Sequence, residues 1–570
     1  MANPYQPVIR AASGKLKGAA LVGTHSTIIG WDLLDPGDRL GLLGFAVRRS
    51  DFNAGTGELM RLDWLGGYKR FKETDDGRAE DVRSLQAPFQ RFRWNDYTLR
   101  PTREYLYEVF PIRGTPGNPV RDGEPLKFHV TPSPEDPGDL GIFVNRGVTA
   151  AMAYLSRFQN TPPHEVGEKA YHWLSRGLKE SLLAFIAQAQ PGDALHVAIY
   201  EFHDHEVAQA FKDAIDRQVD VHIVHDARPS KNSTEETEKV IQHFELQNHR
   251  EKRSTVNISH NKMVIHLVGG IPWRVWTGSA NFSENAFYFQ TNAALIVRDP
   301  QSVQFYEDYF QALRGNPAKA DSKKANRAIM DLANTPPNPF AEKIFFSPVK
   351  EFEILEAAAD LINSAESAVL ISAPFGVDQI MVDALHGNSR DIVEYGLTNS
   401  TAQKKIEQFS KRCTRFFTPT RLTSYMGKSW DAKAFGKHKI HTKTIVIDPW
   451  GDKPQVLIGS ANFSQASCDD NDENALLISG NKRLAAIVAT EFMRMFDHYK
   501  SRYYIDKINE ENKKIKKEND KREAQGLDPK PLKVMDLHLK SNDTWSKTAF
   551  DPDTNRSHKY RDRIVFSGGK

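Results

Sequence analysis

The sequence predicts an α/β protein of two similar halves, preceded by a β-sandwich-like domain. Three observations lead there. His260-Asn261-Lys262 is followed, 18 positions after the histidine, by Gly278-Ser279-Ala280-Asn281-Phe282-Ser283, and His441-Thr442-Lys443 is followed at the same interval by Gly459-Ser460-Ala461-Asn462-Phe463-Ser464. Recurrence of the whole pattern 181 residues later marks an internal duplication. Around each copy, strand-like and helix-like segments alternate, as α/β layering requires, whereas the first ~135 residues read as strands alone.

The elements follow in order. In residues 1–135, Phe92–Tyr97 and Tyr105–Phe110 are β-rich, and Pro116-Gly117-Asn118-Pro119 and Asp122-Gly123 punctuate them as turns. The spacing of Trp94, Tyr97, Leu99, Pro101, Tyr105, Tyr107 and Val109 resembles a fibronectin type III module, which implies a binding or positioning domain open to a protein partner. A turn-rich stretch, Pro132–Asp139, leads to the first half, residues 140–335. There Ala194–Tyr200 and Val219–Val224 read as strands and His205–Arg217 as a helix. Pro317–Pro339 connects to the second half, residues 340–500, with strands at Ser367–Ser372 and Ile392–Leu397 and a helix at Gln379–Leu385. In residues 501–570, Lys507–Arg522 has almost no apolar stripe and reads as a solvated helix or a flexible arm. Trp545, Phe550, Tyr560, Ile564 and Phe566 supply enough apolar surface for the end of the chain to pack onto the body.

Composition bounds the function classes. The 570 residues allow three domains, and 39% hydrophobic with 26% charged residues is ordinary for a soluble chain. No apolar run approaches the ~20 residues of a membrane span and no basic-then-apolar leader opens the chain, so a cytoplasmic location without integral membrane association is expected. Cys413 and Cys468 form neither a disulfide framework nor a metal-ligand spacing. The net charge of +3 says little about partners, but its distribution says more. Lys404–Lys443 holds eleven Lys or Arg against Glu407 and Asp431, interspersed with aromatic residues. Cations neutralise phosphates while rings stack on unpaired bases, so Arg412, Arg415 and Arg421 are candidate nucleic-acid contacts. A solvated loop with core aromatics is the competing reading.

Both H-x-K segments read as strands, whose period of two puts His260 with Lys262, and His441 with Lys443, on one face. Ser279 and Asn281, like Ser460 and Asn462, share parity and can add hydroxyl and amide donors toward a substrate. Two lysines and two asparagines around one phosphate would offset charge developing at phosphorus. No carboxylate cluster surrounds the motifs, so neither a metal nor a cofactor is expected.

The doubled motif resembles the phospholipase D superfamily over roughly residues 165–500. The resemblance implies two α/β/α halves that form one pseudo-twofold catalytic unit within a single chain. It also implies a two-step reaction: one histidine attacks phosphorus to give a phosphohistidine, and the other protonates the leaving oxygen, then activates water. The fuller motif, H-x-K-x-x-x-x-D, is met by His441, Lys443 and Asp448, whereas Leu267 stands at the matching position of the first half. Asp448 lies at odd offset from His441 and is expected to face away from the phosphate. Tyrosyl-DNA phosphodiesterases also lack this aspartate, which tilts the substrate toward nucleic acid.

Glu473 follows Asn462 by eleven residues, where family members carry a carboxylate that bonds a catalytic histidine; the first half offers Gln290 and Asn292 instead. A carboxylate favours imidazolium and an amide does not. With each group serving its own half, His441 is the expected general acid and His260 the nucleophile. A metal-independent phosphodiesterase acting on nucleic acid is the reading taken from the sequence. A phospholipid hydrolase or phosphatidyltransferase is the first alternative, and a catalytically silent phosphate- or nucleic-acid-binding protein the second.

Overall fold

A computed structural model describes residues 5–77, 81–147, 152–159, 161–229, 232–387, 390–399, 414–418, 439–534, 536, 538–553 and 558–569. Arg412 and Arg421, with most of the Lys404–Lys443 segment, lie outside the described residues.

The N-terminal region consists of two antiparallel sheets. Val8–Ser13, Leu16–Val22, Thr27–Leu33 and Arg93–Asp96 form one; Asn118–Arg121, Arg103–Thr115, Gly44–Asn53 and Leu59–Trp64 form the other, with Leu126–Val130 also paired to Arg103–Thr115. Trp31, Phe45, Tyr107 and Phe128 from both sheets are buried in one shared core, the arrangement of a sandwich. The end of the chain completes that core. The Trp545 ring stacks on Phe92 at 5.4 Å, and its Nε1 donates to Leu42 O at 2.9 Å. Helix Lys559–Phe566 comes so close to Thr27–Leu33 that a Cβ on Gly30 would lie 1.9 Å from Phe566 O, so only glycine fits there.

The duplicated halves have matching sheets. The first runs Leu140–Val144, Ala293–Val297, Ile271–Gly278, Lys262–Val268, Ala194–Ile199, Asp220–Asp226, Arg250–Arg253. The second runs Lys343–Ser347, Asn471–Ser479, Gln455–Gly459, Thr444–Ile447, Ala368–Ser372, Val393–Leu397, Thr414–Phe417. Ala194–Ile199 pairs in parallel with Asp220–Asp226, and Ala368–Ser372 with Val393–Leu397. Both faces of these strands are covered, which explains their nearly unbroken apolar runs. The expected helices appear as His205–Asp216 and Gln379–Gly387. Asp204 caps the former by accepting from Val207 N at 3.1 Å.

One helix, Lys482–Glu523, links the second half to the C-terminal segment and passes residue 500 without a break. Its first turns bury Leu484, Ala485, Ala489, Phe492 and Phe496. The charged stretch beyond is helical, and the returning chain is tied to it where Asn512 Nδ2 donates to Lys533 O (2.7 Å) and Asn519 Nδ2 to Lys530 O (2.8 Å). Among the described residues no helix is long and apolar enough to cross a membrane.

Candidate active site

The two H-x-K motifs stand at strand entrances rather than inside strands, a correction to the reading from periodicity. His260 follows the short strand Ile258–Ser259 and Lys262 opens Lys262–Val268, while His441 to Lys443 lead into Thr444–Ile447. Each entrance is held by the opposite half. Ile258–Ser259 pairs in parallel with Asn471-Asp472, and Ile440 forms a parallel bridge with Thr291. The His260 amide donates to Asp472 O (2.9 Å) and the His441 amide to Thr291 O (3.1 Å).

That backbone crossing decides which side chain meets which imidazole. The residue after each acceptor faces the ring: Glu473 Oε2 lies 2.7 Å from His260 Nδ1, and Asn292 Oδ1 lies 2.8 Å from His441 Nδ1. The expectation that each half orients its own histidine is therefore corrected, since the pairs form across the halves. Gln290 is not an orienting group. It is held by its backbone, with its amide donating to Asn285 O and its carbonyl accepting from Asn145 Nδ2, both at 2.8 Å.

The motif serines serve these anchors. Ser279 Oγ donates to Asn292 Oδ1 and Ser460 Oγ to Glu473 Oε2, each at 2.8 Å, while the hydroxyls accept from Ala293 N and Asn474 N. The expectation that Ser279 and Ser460 touch substrate is corrected, because both are buried and engaged behind the histidines. The glycine before each serine permits the approach: a Cβ on Gly278 would lie 2.2 Å from Ala293 O, and one on Gly459 2.3 Å from Asn474 O.

Donor roles follow from the network. Asn292 Nδ2 donates to Ala286 O (2.9 Å), so its Oδ1 accepts and His441 carries its proton on Nδ1. Glu473 accepts from Ser460 and, through Oε1, from Ser467 Oγ (3.0 Å), leaving Oε2 as the acceptor for His260 Nδ1–H. In both rings Nε2 is left with its lone pair.

The site is buried and holds two lysines beside its two histidines. Burial, then Lys262 and Lys443, lower the pKa of His260 well below its ordinary value; burial, then Lys443, Lys262 and His260, do the same to His441. Burial brings Lys262 down to about 7 and, with Lys262 beside it, lowers Lys443 well below its ordinary value. Glu473 is pushed up to about 7 by burial against the pull of Lys262. Lys262 Nζ donates to His260 O, and Lys443 Nζ to His441 O at 2.8 Å. Asn281 Nδ2 donates to Glu201 Oε2 (2.6 Å), while Asn281 Oδ1 and Asn462 Oδ1 are buried with no partner among the described residues.

Tyr200, Glu201, Asp226 and Arg228 belong to the site and were not singled out from the sequence. The Tyr200 ring lies 5.2 Å from the His260 ring, and Arg228 reaches its hydroxyl at 3.4 Å. Asp226 holds Arg228 Nε at 3.0 Å and accepts from Ser259 N at 2.9 Å. All four follow or end parallel strands, where α/β sheets bind ligands, and that rule was the available signal. Asp448 lies away from the reacting groups, as expected. At φ +48° it accepts from Glu366 N, Ser367 N and Ala368 N, pinning the entry to Ala368–Ser372. Leu267 is core. Arg415 lies on Thr414–Phe417, donates to Thr414 O at 2.8 Å, and its charge is felt by Lys500.

Residues 182–314 and 359–496 match the model of the cardiolipin synthase phospholipase D-like domain. With its two phospholipase D-like halves, the chain belongs to the phospholipase D superfamily, a group of phosphodiesterase-type enzymes. Solved structures similar to it include the following three. Polyphosphate kinase from Porphyromonas gingivalis is 12% identical over 54% of this chain and 43% of its own, with a TM-score of 0.37. This chain thus spans less than half of that kinase. Nuc, a phospholipase D family member from Salmonella typhimurium, is 25% identical over 23% of this chain and 84% of its own, with a TM-score of 0.20. Phosphatidylserine synthase from Haemophilus influenzae is 12% identical over 56% of this chain and 85% of its own, with a TM-score of 0.40. No curated protein matches the chain.

Proposed function

We propose that this chain is a phosphodiesterase that cleaves nucleic acid through a phosphohistidine on His260, with Lys262 and Lys443 as the stabilising cations. The observation that carries the reading is the crossed anchoring of the two imidazoles, each held at Nδ1 by a side chain of the opposite half. As the phosphodiester anion binds, His441 takes up a second proton from solvent on Nε2; His260 Nε2 then attacks phosphorus, the N–P bond forms as the bond to the leaving oxygen breaks, and His441 Nε2 gives that oxygen its proton, returning to the neutral ring. His441 then takes a proton from water, whose oxygen attacks phosphorus and releases His260.

The nucleophile is chosen by charge. Attack through Nε2 of an Nδ1-protonated ring gives a phosphoimidazolium, and the Glu473 carboxylate 2.7 Å from Nδ1 compensates that cation. Asn292 offers His441 no such charge. Burial weakens both lysines in the empty site, and an arriving phosphodiester anion restores their protonation.

Tyr200 and Arg228 beside His260 favour a polynucleotide, whose bases stack on rings and whose flanking phosphates pair with guanidinium. A phospholipid phosphodiester is the second reading, favoured by the cardiolipin synthase description of the matching domain model. The test is incubation of the purified full chain with plasmid, single-stranded DNA, RNA and phosphatidylcholine, each with and without EDTA. Cleavage of a nucleic acid is expected. Turnover of phosphatidylcholine alone overturns the substrate, and no turnover with any of them overturns the activity.

A further inference from the structure

A cavity of about 340 Å³ lies where the N-terminal sandwich, helix Lys482–Glu523 and the C-terminal segment meet. Its volume is at the small end of the range for ligand sites. None of the residues at the two H-x-K motifs lines it, and the proposed phosphodiesterase reaction makes no use of it.

Its charges do not balance. Both carboxylates of the wall are engaged: Asp497 accepts from Arg93 Nη2 (2.9 Å) and Tyr97 OH (2.8 Å), and Asp562 from His558 Nδ1 (2.7 Å) and Tyr395 OH (2.5 Å). Arg563 is taken by Asp32. Arg91 and Lys500 line the same cavity and form no ion pair among the described residues, and Arg93 Nη1 is buried without an acceptor. Burial, then Arg93, lower the pKa of Lys500 against the pull of Asp562 and Asp497.

Phe92, Tyr504 and Trp545 give the wall an aromatic part, beside Gln90, Ser501, Ala549 and Lys559. Trp545 is stacked on Phe92 and locked by its bond to Leu42 O, while Tyr504 is 44% exposed. Rings held in this way offer a flat surface at little entropic cost, and guanidinium and ammonium groups match phosphate oxygens.

We propose that this cavity binds a small phosphate ester carrying a planar ring, of the size of a mononucleotide. Arg91, Arg93 and Lys500 take the phosphate, and Trp545, Phe92 and Tyr504 border the ring. Because the walls come from three parts of the chain, the ligand ties the C-terminal segment to the sandwich and the long helix.

The test is calorimetric titration of the full chain carrying Lys443→Ala, which disables the other phosphate-binding centre, with AMP, inorganic phosphate and adenosine. One AMP per chain is expected, with phosphate weaker than AMP and adenosine weaker still. Lys500→Met, which keeps the apolar stem, and Arg91→Ala, at an exposed residue, should each weaken AMP at least tenfold with unchanged circular dichroism. Failure of AMP to bind, or unchanged affinity in the folded variants, overturns the site. Equal affinity for AMP and phosphate overturns the ring.

Discussion

Glu473 on the last sheet strand of the second half hydrogen-bonds His260 of the first, Oε2 to Nδ1 at 2.7 Å, across 213 residues of sequence. Asn292 stands in the same relation to His441 at 2.8 Å. The two anchors differ by one negative charge, so their removal should have different consequences. Glu473→Gln should slow hydrolysis by about a hundredfold with any leaving group, because it exposes the cation formed on His260. Asn292→Ala should slow poor leaving groups by about tenfold and barely affect p-nitrophenolate, which needs no proton. Rates on both kinds of ester check this, and equal sensitivity of the two variants would count against the assignment.

Trapping tests the histidine roles directly. His441→Asn should still be attacked through His260 when the leaving group is good, yet lack the base that activates water. An acid-labile phosphoenzyme should accumulate, with mass spectrometry locating it on His260. An adduct on His441 in a His260→Asn chain would reverse the roles while leaving the shared site intact.

Lys262 and Lys443 both lower the pKa of His260 and of His441, so the two cations act on the same pair of imidazoles. Lys262→Ala and Lys443→Ala should each lower kcat/KM by about 10³-fold. Turnover should persist in EDTA, because the lysines supply the positive charge at phosphorus. Chelation that abolishes activity, restored by magnesium or manganese, would defeat this account, and near-normal turnover by Lys262→Ala would make the first half a relic.

Burial of Lys262 predicts a pH-dependent cost in stability. The unfolded side chain holds its proton up to about pH 10.5, whereas the folded one releases it near 7. Between those values the unfolded chain binds the extra proton, so this group's contribution to stability rises with pH, and its cost is fully present below pH 7. Lys262→Met should therefore raise Tm more at pH 6 than at pH 9, by a difference of about a few kcal/mol in unfolding free energy. Loss of the cation beside Glu473 acts in the same direction. A gain independent of pH would mean that the ammonium is not held in a dry site.

Asp448 should matter to folding and not to chemistry. Asp448→Ala strands three backbone amides and places alanine at φ +48°, at a cost of about 2–3 kcal/mol. Urea unfolding measures the loss, and kcat should stay within about twofold. A tenfold fall in kcat with unchanged stability would place Asp448 in the reaction instead.

The sequence by itself determined the duplication, the α/β character of both halves, the β-rich N-terminus and the two matching sets of histidine, lysine, serine and asparagine. Those properties live in spacing and in local periodicity: apolar runs such as Leu195–Ile199 make buried strands wherever they are placed. It also showed that Asp448 would point away. Only the tertiary structure decided that Glu473 serves His260 and Asn292 serves His441, that Ser279 and Ser460 stand behind the anchors, and that Tyr200 and Arg228 join them. The reason is physical. Each histidine entrance hydrogen-bonds the opposite half, and a pairing across 149 or 213 residues leaves no trace in the period of either segment. The position of Trp545 in the N-terminal core has the same origin, since its partner Phe92 is supplied by the other end of the chain.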